Sequence, residues 1–348
     1  MQDKNKSIMP KKVYIEFLRI VAAYLVIVNH TNSELFLKTK ISMTWFASLT
    51  YFFLCKIAVP VFLLIMGAVL LGKQDTYRKS GKRVLRIAGI LIVCSILYYL
   101  FECCTEGNAV SISVFLKRFC NQHITASFWY LYMYIGMLLM LPILQKLRAA
   151  LSKKEIRFLT TLSLGVIGLA PILSAFLGIV IPNDIYTVFF HPYVSMVFAG
   201  YYLDNYCELN TRRFVAAAVT FISMIALQVV LTWRAYLNNP DHLLILDSNT
   251  SLPITLSAVS AFYMAKYAFS RIRISLHAER TICALGGMMF TVFLLSDGMI
   301  KATRFVYSYL TIHTKRMVAM VGWELVIFLL CIFLAALIKK LPVLKKIL

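Results

Sequence analysis

Apolar residues recur along this chain in runs long enough for a helix to cross a membrane. Each run can span a hydrocarbon core of about 30 Å, and a bilayer offers no water to unpaired backbone groups, so the runs must be helical. The pattern predicts an all-α fold, a polytopic transmembrane helix bundle of about ten transmembrane helices in one membrane domain, residues 1–348. The predicted spans are 13–33, 46–71, 84–103, 127–145, 158–180, 186–204, 214–236, 252–270, 281–297 and 317–338.

The composition fits a membrane protein and not a soluble domain. Of the 348 residues, 60% are hydrophobic and only 15% are charged, and the mean hydropathy is +0.77. The formal net charge of +21 would suit a nucleic-acid-binding protein only if the basic residues shared a soluble face. They lie instead in short segments between apolar runs, so we expect membrane lipids and no nucleic acid as partners.

The distribution of basic residues predicts the orientation. If the chain starts in the cytoplasm, the inner segments hold about 24 of the 36 Lys and Arg residues, the excess that cytoplasmic loops carry. We therefore expect both termini inside, N-in and C-in. The first apolar run has no small-residue cleavage site after it, so we interpret it as a retained helix and not a signal peptide.

The cysteines do not indicate a metal site. The eight residues are scattered without CxxC pairs or a zinc-like spacing with His. Cys103, Cys104 and Cys120 flank one predicted external loop, and the sequence leaves open whether Cys103 or Cys104 forms a disulfide with Cys120.

The first predicted helix carries ionisable residues that share one face. Arg19 and His30 are eleven residues apart, which is about three whole turns and about 16 Å along the helix. Ionisable groups at this depth are costly and normally face a bundle interior or a wet cavity and carry function. Glu34, one turn after His30, can hold the imidazole as a carboxylate does in triad-like sites. The alternative is that Arg19 reaches the headgroups and His30 caps the outer helix end.

Arg19 and His30, with ten residues between them, resemble the R-x10-H signature of the acyltransferase-3 family of bacterial membrane acyltransferases. Three more segments are similar to the family in the same order. They are the Val-Pro run that ends in Gly at 59–67, the basic R-x-x-R segment at 77–86, and the aromatic segment at 128–142. The second half departs from the family, because Ser296-Asp297 stands where members often have a late histidine. We interpret Asp297 as a solvated helix end, with a contact to the acceptor as the alternative.

The resemblance implies an enzyme, a membrane-bound O-acyltransferase of the bacterial plasma membrane. In the family an acyl group, commonly acetyl from acetyl-CoA, moves from the cytoplasm to a hydroxyl of an envelope or extracellular carbohydrate. We accordingly expect acyl-CoA as co-substrate, no metal, and a carbohydrate or lipid-linked glycan as acceptor. The sequence leaves open the identity of the acceptor, the acyl chain and the oligomeric state, with a homodimer as one option.

The phosphates of coenzyme A require clustered cations on the cytoplasmic side. The start of the third predicted helix provides them, and the guanidinium fork suits phosphate oxygens. The alternative is ordinary positive-inside charge attracted to anionic lipid. The predicted acyl-CoA-binding residues are Lys82, Arg83, Arg86 and Arg19.

Acyl transfer also needs a base for the acceptor hydroxyl. Neutral His30 is the best candidate, because imidazole is the side chain that most often acts as a general base near neutral pH. Aromatic faces stack on sugars, although Trp and Tyr also gather at membrane interfaces without a catalytic role. The predicted catalytic residues are His30, Arg19 and Glu34. The predicted substrate-binding residues are Trp129, Tyr130 and Tyr132.

Two other functions compete with acyl transfer. In a membrane transporter or flippase for a small polar or lipid-linked substrate, Arg19 and His30 would bind substrate or relay protons. Such proteins commonly show paired repeats with broken helices in corresponding positions, and the sequence shows neither clearly. The third option is a sensory or scaffold membrane protein that kept the fold without the chemistry.

Overall fold

The computed structural model describes residues 12–31, 33–121, 123–182, 191–238 and 248–341. Within these ranges the chain is helical and contains no β-strand. The helices, numbered in chain order, are α1 Val13–Thr31, α2 Ser33–Leu37, α3 Met43–Cys55, α4 Ala58–Met66, α5 Tyr77–Glu106, α6 Ile112–Asn121, α7 Trp129–Ala150, α8 Lys153–Leu177, α9 Pro192–Asn205, α10 Thr211–Asn238, α11 Leu252–Arg271, α12 Leu276–Gly286, α13 Met289–Ala302, α14 Arg304–His313 and α15 Arg316–Ile338. A π-helical turn, Gly67–Leu71, continues α4, and a 3₁₀ turn, Ala126–Phe128, precedes α7.

Seven helical stretches of the described chain are long and apolar enough to cross a membrane. They are Val13–Leu37, Met43–Leu71, Tyr77–Glu106, Ala126–Ala150, Lys153–Ser174, Thr211–Leu237 and Arg316–Ile338. Helices α12 and α13 pass the same test together but bend by 53° at the break between them, and counting them as one broken span gives eight.

The all-helical, membrane-spanning character predicted from the sequence is therefore confirmed. The other two predicted spans, 186–204 and 252–270, correspond to α9 and α11. Helix α9 has only 14 residues, fewer than the 17 or so that a spanning helix needs. The count of ten and the N-in, C-in orientation stay predictions.

Helix α1 runs through the interior of the bundle. It contacts α3, α4, α11, α12, α13 and α15. One side packs Ile15 and Leu18 against Phe262 of α11, and another packs Ile27 against Ile327 of α15. Because the helix is apolar on several faces and covered by neighbours, its few polar side chains face the protein interior.

Two glycines bring α4 and α9 into close backbone contact. A Cβ on Gly67 would lie 1.8 Å from the carbonyl oxygen of Val197, and a Cβ on Gly200 would lie 2.0 Å from that of Leu64. Small residues allow such approach between membrane helices. The contact fixes α4, which forms part of the wall of the candidate site.

The predicted run 46–71 is broken near its middle. Helix α3 ends at Cys55 and α4 begins at Ala58. Pro60 has no N–H for the carbonyl four residues earlier, that of Lys56, and its ring crowds that carbonyl, which explains the break. Irregular backbone at membrane depth is tolerated where it lies inside the protein or lines a cavity.

The cysteines beside the predicted external loop are not joined. Cys103 is buried, Cys104 and Cys120 are exposed, and all three are free thiols.

Candidate active site

Arg19 and His30 lie on the walls of two different cavities along α1. The cavity at Arg19, which we call the arginine cavity, has a volume of about 380 Å³, and its wall includes Arg83 and Arg86 of α5. The cavity at His30, which we call the histidine cavity, has a volume of about 340 Å³. Both side chains are half-buried. The structure therefore brings both residues to cavities inside the bundle.

The arginine cavity collects positive charge. Arg83 and Arg86 are one turn apart on α5 and face Arg19 of α1 across the cavity, whose remaining described lining is apolar, aromatic or glycine. No carboxylate is among its described lining residues. Three guanidinium groups around one space suit an anion with several phosphate oxygens.

Glu16 orients the Arg19 side chain. Nη1 of Arg19 donates a hydrogen bond to Oε1 of Glu16 over 2.8 Å, and the carboxylate is buried one turn before Arg19. Gly286, the last residue of α12, makes room for it, because a Cβ there would lie 2.4 Å from Oε2 of Glu16. The end of α12 thus fits against the ion pair that holds Arg19 at its cavity.

Asp75, in the loop between the second and third spans, orients Arg83. Nη1 of Arg83 lies 2.5 Å from Oδ2, Nζ of Lys79 lies 2.6 Å from Oδ1, and the Gln145 amide donates to Oδ2 over 3.2 Å. Burial by itself would raise the pKa of Asp75, but the hydrogen bonds from Lys79, Gln145 and Arg83 outweigh it and lower the pKa to about 2. The carboxylate is therefore charged at any physiological pH.

The same loop carries a lysine whose charge is disfavoured. Burial lowers the pKa of Lys73, and the Arg83 charge lowers it further, while Asp75 acts in the opposite direction. Burial is the main cause of this shift, and the nearby guanidinium of Arg83 adds to it.

The histidine cavity has a polar and aromatic lining drawn from distant parts of the chain. Asn29 and His30 come from α1, and Lys56 lies at the break between α3 and α4. Trp129 of α7 and Tyr193 of α9 complete an aromatic side, with ring centroids 6.2 Å apart. The lining also includes Ser248 and Asn249. Such a mixture of amides, hydroxyls and aromatic rings suits a sugar.

Asp297 fixes the turn that leads to Trp129. Its Oδ2 accepts hydrogen bonds from the backbone N–H of Ser127 over 3.1 Å, from the Ser127 hydroxyl over 2.7 Å, and from the Thr125 hydroxyl. Asp297 is only 7% exposed. The interpretation of Asp297 as a solvated helix end was wrong, since the carboxylate is buried against the 3₁₀ turn that borders the histidine cavity.

Three aromatic side chains belong to both cavities. Phe62, Tyr130 and Phe293 line the arginine cavity and the histidine cavity alike. The Tyr130 ring centroid lies 5.9 Å from that of Phe62 and 5.7 Å from that of Phe293. We call these three residues the aromatic partition. The two spaces therefore have these three side chains as a common wall.

The structure does not bring every predicted site residue to a cavity. Lys82 is exposed and lies on neither cavity wall. The Tyr132 hydroxyl donates to the carbonyl oxygen of Phe119 over 2.7 Å, away from both cavities. The side chain of Glu34 lies outside the described residues. Ser296 is buried and donates to the carbonyl oxygen of Phe293.

Several polar residues of the site have no signal of their own in the sequence. Asp75 and Gln145 meet only through the tertiary fold, and Asp297 meets Ser127 across 170 positions. Lys56 was predictable in part, because a lysine inside an apolar run indicates a cavity or a function. Glu324 gave the same signal in the last span; it accepts hydrogen bonds from Thr31 over 2.6 Å and Tyr51 over 2.8 Å.

Comparison with models of protein families identifies a family whose description agrees with the two cavities. A family model described as an acyltransferase domain matches residues 12–340, nearly the whole chain. The chain belongs to the acyltransferase-3 family. No curated protein and no solved structure matches it.

The range that the acyltransferase-3 family model matches includes the parts of the chain that form both cavities. The matched range contains the R-x10-H pair of α1, the R-x-x-R segment of α5 and the aromatic start of α7. Together with the apolar helices long enough to cross a bilayer, it identifies a membrane acyltransferase. The resemblance inferred from the sequence is confirmed.

Proposed function

We propose that this protein is an O-acyltransferase that moves an acyl group, most simply acetyl, from cytoplasmic acyl-CoA to a hydroxyl of an envelope or extracellular carbohydrate. The observation that carries the proposal is the pair of cavities on α1, one cationic at Arg19 and one at His30, with a wall of movable side chains in common. A donor that enters at one cavity and an acceptor that enters at the other would meet at the aromatic partition.

The arginine cavity would hold the donor. The phosphates of coenzyme A need cations, which Arg19, Arg83 and Arg86 offer in one space. Glu16 and Asp75 keep two of these guanidinium groups in place before the donor binds, which lowers the conformational entropy lost on binding. The thin thioester arm would then extend past Tyr130 toward His30.

In the reaction, His30 acts as general base. Its imidazole takes the proton from the acceptor hydroxyl as the oxygen attacks the thioester carbonyl. The tetrahedral intermediate collapses, the C–S bond breaks, and the protonated His30 returns the proton to the sulfur, so that the coenzyme leaves as a thiol. Trp129 and Tyr193 would stack on the sugar while Asn29 and Asn249 bind its hydroxyls.

The test measures acyl transfer by purified protein in lipid nanodiscs. Labelled acetyl-CoA and envelope glycans from the source cell are supplied, and both label transfer and release of the coenzyme thiol are recorded. We expect His30→Ala to lower the transfer rate by about 10²-fold or more, the usual contribution of a general base. His277→Ala is the matched control, because His277 is exposed on α12 and lines neither cavity.

Two results would contradict the proposal. One is transfer that His30→Ala leaves unchanged. The other is uptake of glycan into sealed vesicles with no thiol released from acetyl-CoA, which would identify a transporter.

A further inference from the structure

The proposed reaction creates a negative charge that needs a hydrogen-bond donor. When the acceptor oxygen attacks the thioester, a C–O bond forms and the electron pair of the carbonyl double bond moves to the carbonyl oxygen. Enzymes that transfer acyl groups stabilise this oxyanion with donors that are already in position. His30 is occupied with the proton of the acceptor hydroxyl, and Arg19 lies about 16 Å from it along α1.

The aromatic partition contains a suitable donor. Phe62, Tyr130 and Phe293 line both cavities, so donor and acceptor would meet beside these rings. The two phenylalanine side chains have no polar atom, whereas the hydroxyl of Tyr130 can donate a hydrogen bond. His30 and Arg19 each line one cavity only. Among the described lining residues, Tyr130 is therefore the polar side chain that both cavities have in common.

The hydroxyl of Tyr130 has no partner within the part of the chain that the structure describes. It makes no hydrogen bond there, and its oxygen is not one of the unpaired atoms that are sealed from water. Because Tyr130 lies deep within the bundle, the spaces from which this oxygen can be reached are the two cavities. A hydroxyl left unpaired in apolar surroundings is costly and indicates a ligand that pairs with it.

Neighbouring rings hold the Tyr130 side chain in place. Its ring centroid lies 5.9 Å from that of Phe62 on α4 and 5.7 Å from that of Phe293 on α13. On α7 itself, the Tyr134 ring is stacked at 6.1 Å with an angle of 11° between the planes, and Trp129 lies edge-on at 6.2 Å. A donor that is fixed before the reaction does not have to reorganise when the charge develops.

We propose that Tyr130 is a catalytic residue whose hydroxyl donates a hydrogen bond to the thioester carbonyl oxygen and stabilises the oxyanion. This inference rests on the proposed acyltransferase function. The proton stays on the tyrosine oxygen throughout. When the intermediate collapses, the C=O bond forms again, the C–S bond breaks with its electron pair on sulfur, and the imidazolium of His30 gives the sulfur its proton.

The experiment removes the hydroxyl and keeps the ring. Tyr130→Phe in nanodiscs is supplied with labelled acetyl-CoA and envelope glycans, and initial rates are measured with each substrate varied. We expect kcat to fall about 10²-fold or more, the usual cost of one oxyanion donor, while both KM values change by less than about threefold. The factor should be the same from about pH 6 to about pH 9, because Tyr130 transfers no proton.

Two further tyrosines serve for comparison. Tyr309→Phe is the matched control, because Tyr309 is exposed on α14 and lines neither cavity, and it should keep the wild-type rate. Tyr134→Phe removes a hydroxyl that belongs to the arginine cavity alone, so its kcat should change by less than about threefold. A fall in kcat as large as that of Tyr130→Phe would show that the effect is not specific to the hydroxyl at the partition.

A binding measurement adds a readout without turnover. The probe is a ketone analogue of acetyl-CoA in which a methylene group replaces the thioester sulfur. We expect Tyr130→Phe to bind this analogue within about threefold of the wild type, since the donor acts mainly on charge that develops in the transition state. Weaker binding together with a lower kcat would assign Tyr130 to the architecture of the site and overturn the catalytic role.

The outcomes distinguish this inference from the function on which it rests. A kcat of Tyr130→Phe close to that of the wild type, or a loss confined to KM, would overturn the oxyanion donor and leave the acyltransferase intact. Failure of the wild type to release thiol and to transfer label would overturn the acyltransferase proposal, and the role of Tyr130 with it.

Discussion

Gly286 lies so close to Glu16 that a Cβ on the glycine would come within 2.4 Å of Oε2 and 3.0 Å of Cα of Glu16. A Cβ on Gly286 would also lie 2.7 Å from the Cβ of Glu16, so a movement of the carboxylate alone would not make room for a larger residue at the end of α12. This contact makes the arginine cavity, the proposed donor site, sensitive to a change on a helix that contributes no charged group to it.

We expect Gly286→Ala to raise KM for acyl-CoA about tenfold, because the displaced Glu16 carboxylate would no longer orient Arg19. Overpacking at this position should also cost about 1–3 kcal/mol of stability. Initial rates at varied acyl-CoA concentration measure the effect. Gly136→Ala is the control, since a Cβ there meets nothing within 4 Å. An unchanged KM in Gly286→Ala would show that the Glu16 contact does not matter to the donor.

Asp75 makes the stability of the loop between the second and third spans depend on pH. Its pKa is about 2 in the folded protein against an ordinary value of 3.8, so its ion pairs stabilise the folded state above pH 3.8 and lose this effect as the pH falls toward 2. We expect Asp75→Asn to lower stability by about 1 kcal/mol or less at pH 7, because its cationic partners are partly exposed.

Unfolding midpoints in detergent across a pH series measure this difference. The gap between wild type and Asp75→Asn should stay constant from pH 7 to about pH 5 and close as the pH falls from about 4 to 2. Glu208→Gln is the control, because the Glu208 side chain is 77% exposed and its ion pair with Arg213 is loose, with 3.6 Å between Oε2 and Nη2. A gap that already closes between pH 7 and pH 5 would contradict the assignment.

Removal of the Asp297 carboxylate should loosen the acceptor side and leave the donor side intact. In Asp297→Ala the hydroxyls of Thr125 and Ser127 and one backbone N–H lose their acceptor, and the turn before Trp129 is no longer fixed. We expect KM for the acceptor to rise about tenfold while KM for acyl-CoA changes little. Varying each substrate in turn separates the two, and an equal rise in both values would refute this role.

The backbone contact at Gly200 should be required for folding. A Cβ at this position would lie 2.0 Å from the carbonyl oxygen of Leu64, and backbone cannot give way as a flexible side chain can. We expect Gly200→Ala to reduce the yield of monodisperse protein severely, as judged by size-exclusion chromatography of a fluorescent fusion. Gly165→Ala, which meets nothing within 4 Å, should behave as wild type. Normal yield of Gly200→Ala would mean that α4 and α9 can separate without loss of the fold.

Helical geometry explains some of the predicted side chains that do not reach a cavity. Successive residues are rotated by about 100°, which turns Tyr132 about 200° away from Tyr130, so a strict count of helical angles would have separated these two. The same count does not exclude Lys82, which lies only about 40° from Arg86 around α5. Its exposed position outside both cavity walls depends on how the helices pack.

Other parts of the site could not be predicted from a single sequence. The partners of Asp75 and Asp297 depend on which helices meet, and hydropathy gives the helices without their neighbours. Hydropathy also merged α3 with α4 and α12 with α13, because a break of two residues hardly changes the average over a window. The family could be predicted from the spacing of its motif residues, and the membrane-spanning helical fold could be predicted from the apolar runs.

The ring contacts of Tyr130 with Phe62 and Phe293 matter to the cell as well as to the reaction. A continuous column of water through a membrane protein would conduct protons along their gradient. Each elementary charge that crosses the membrane potential releases about 2.3 kcal/mol per 100 mV. The three rings line both cavities, so they lie where a continuous column of water would have to pass. A polar reaction can therefore take place deep within the bundle while the surrounding membrane stays electrically tight.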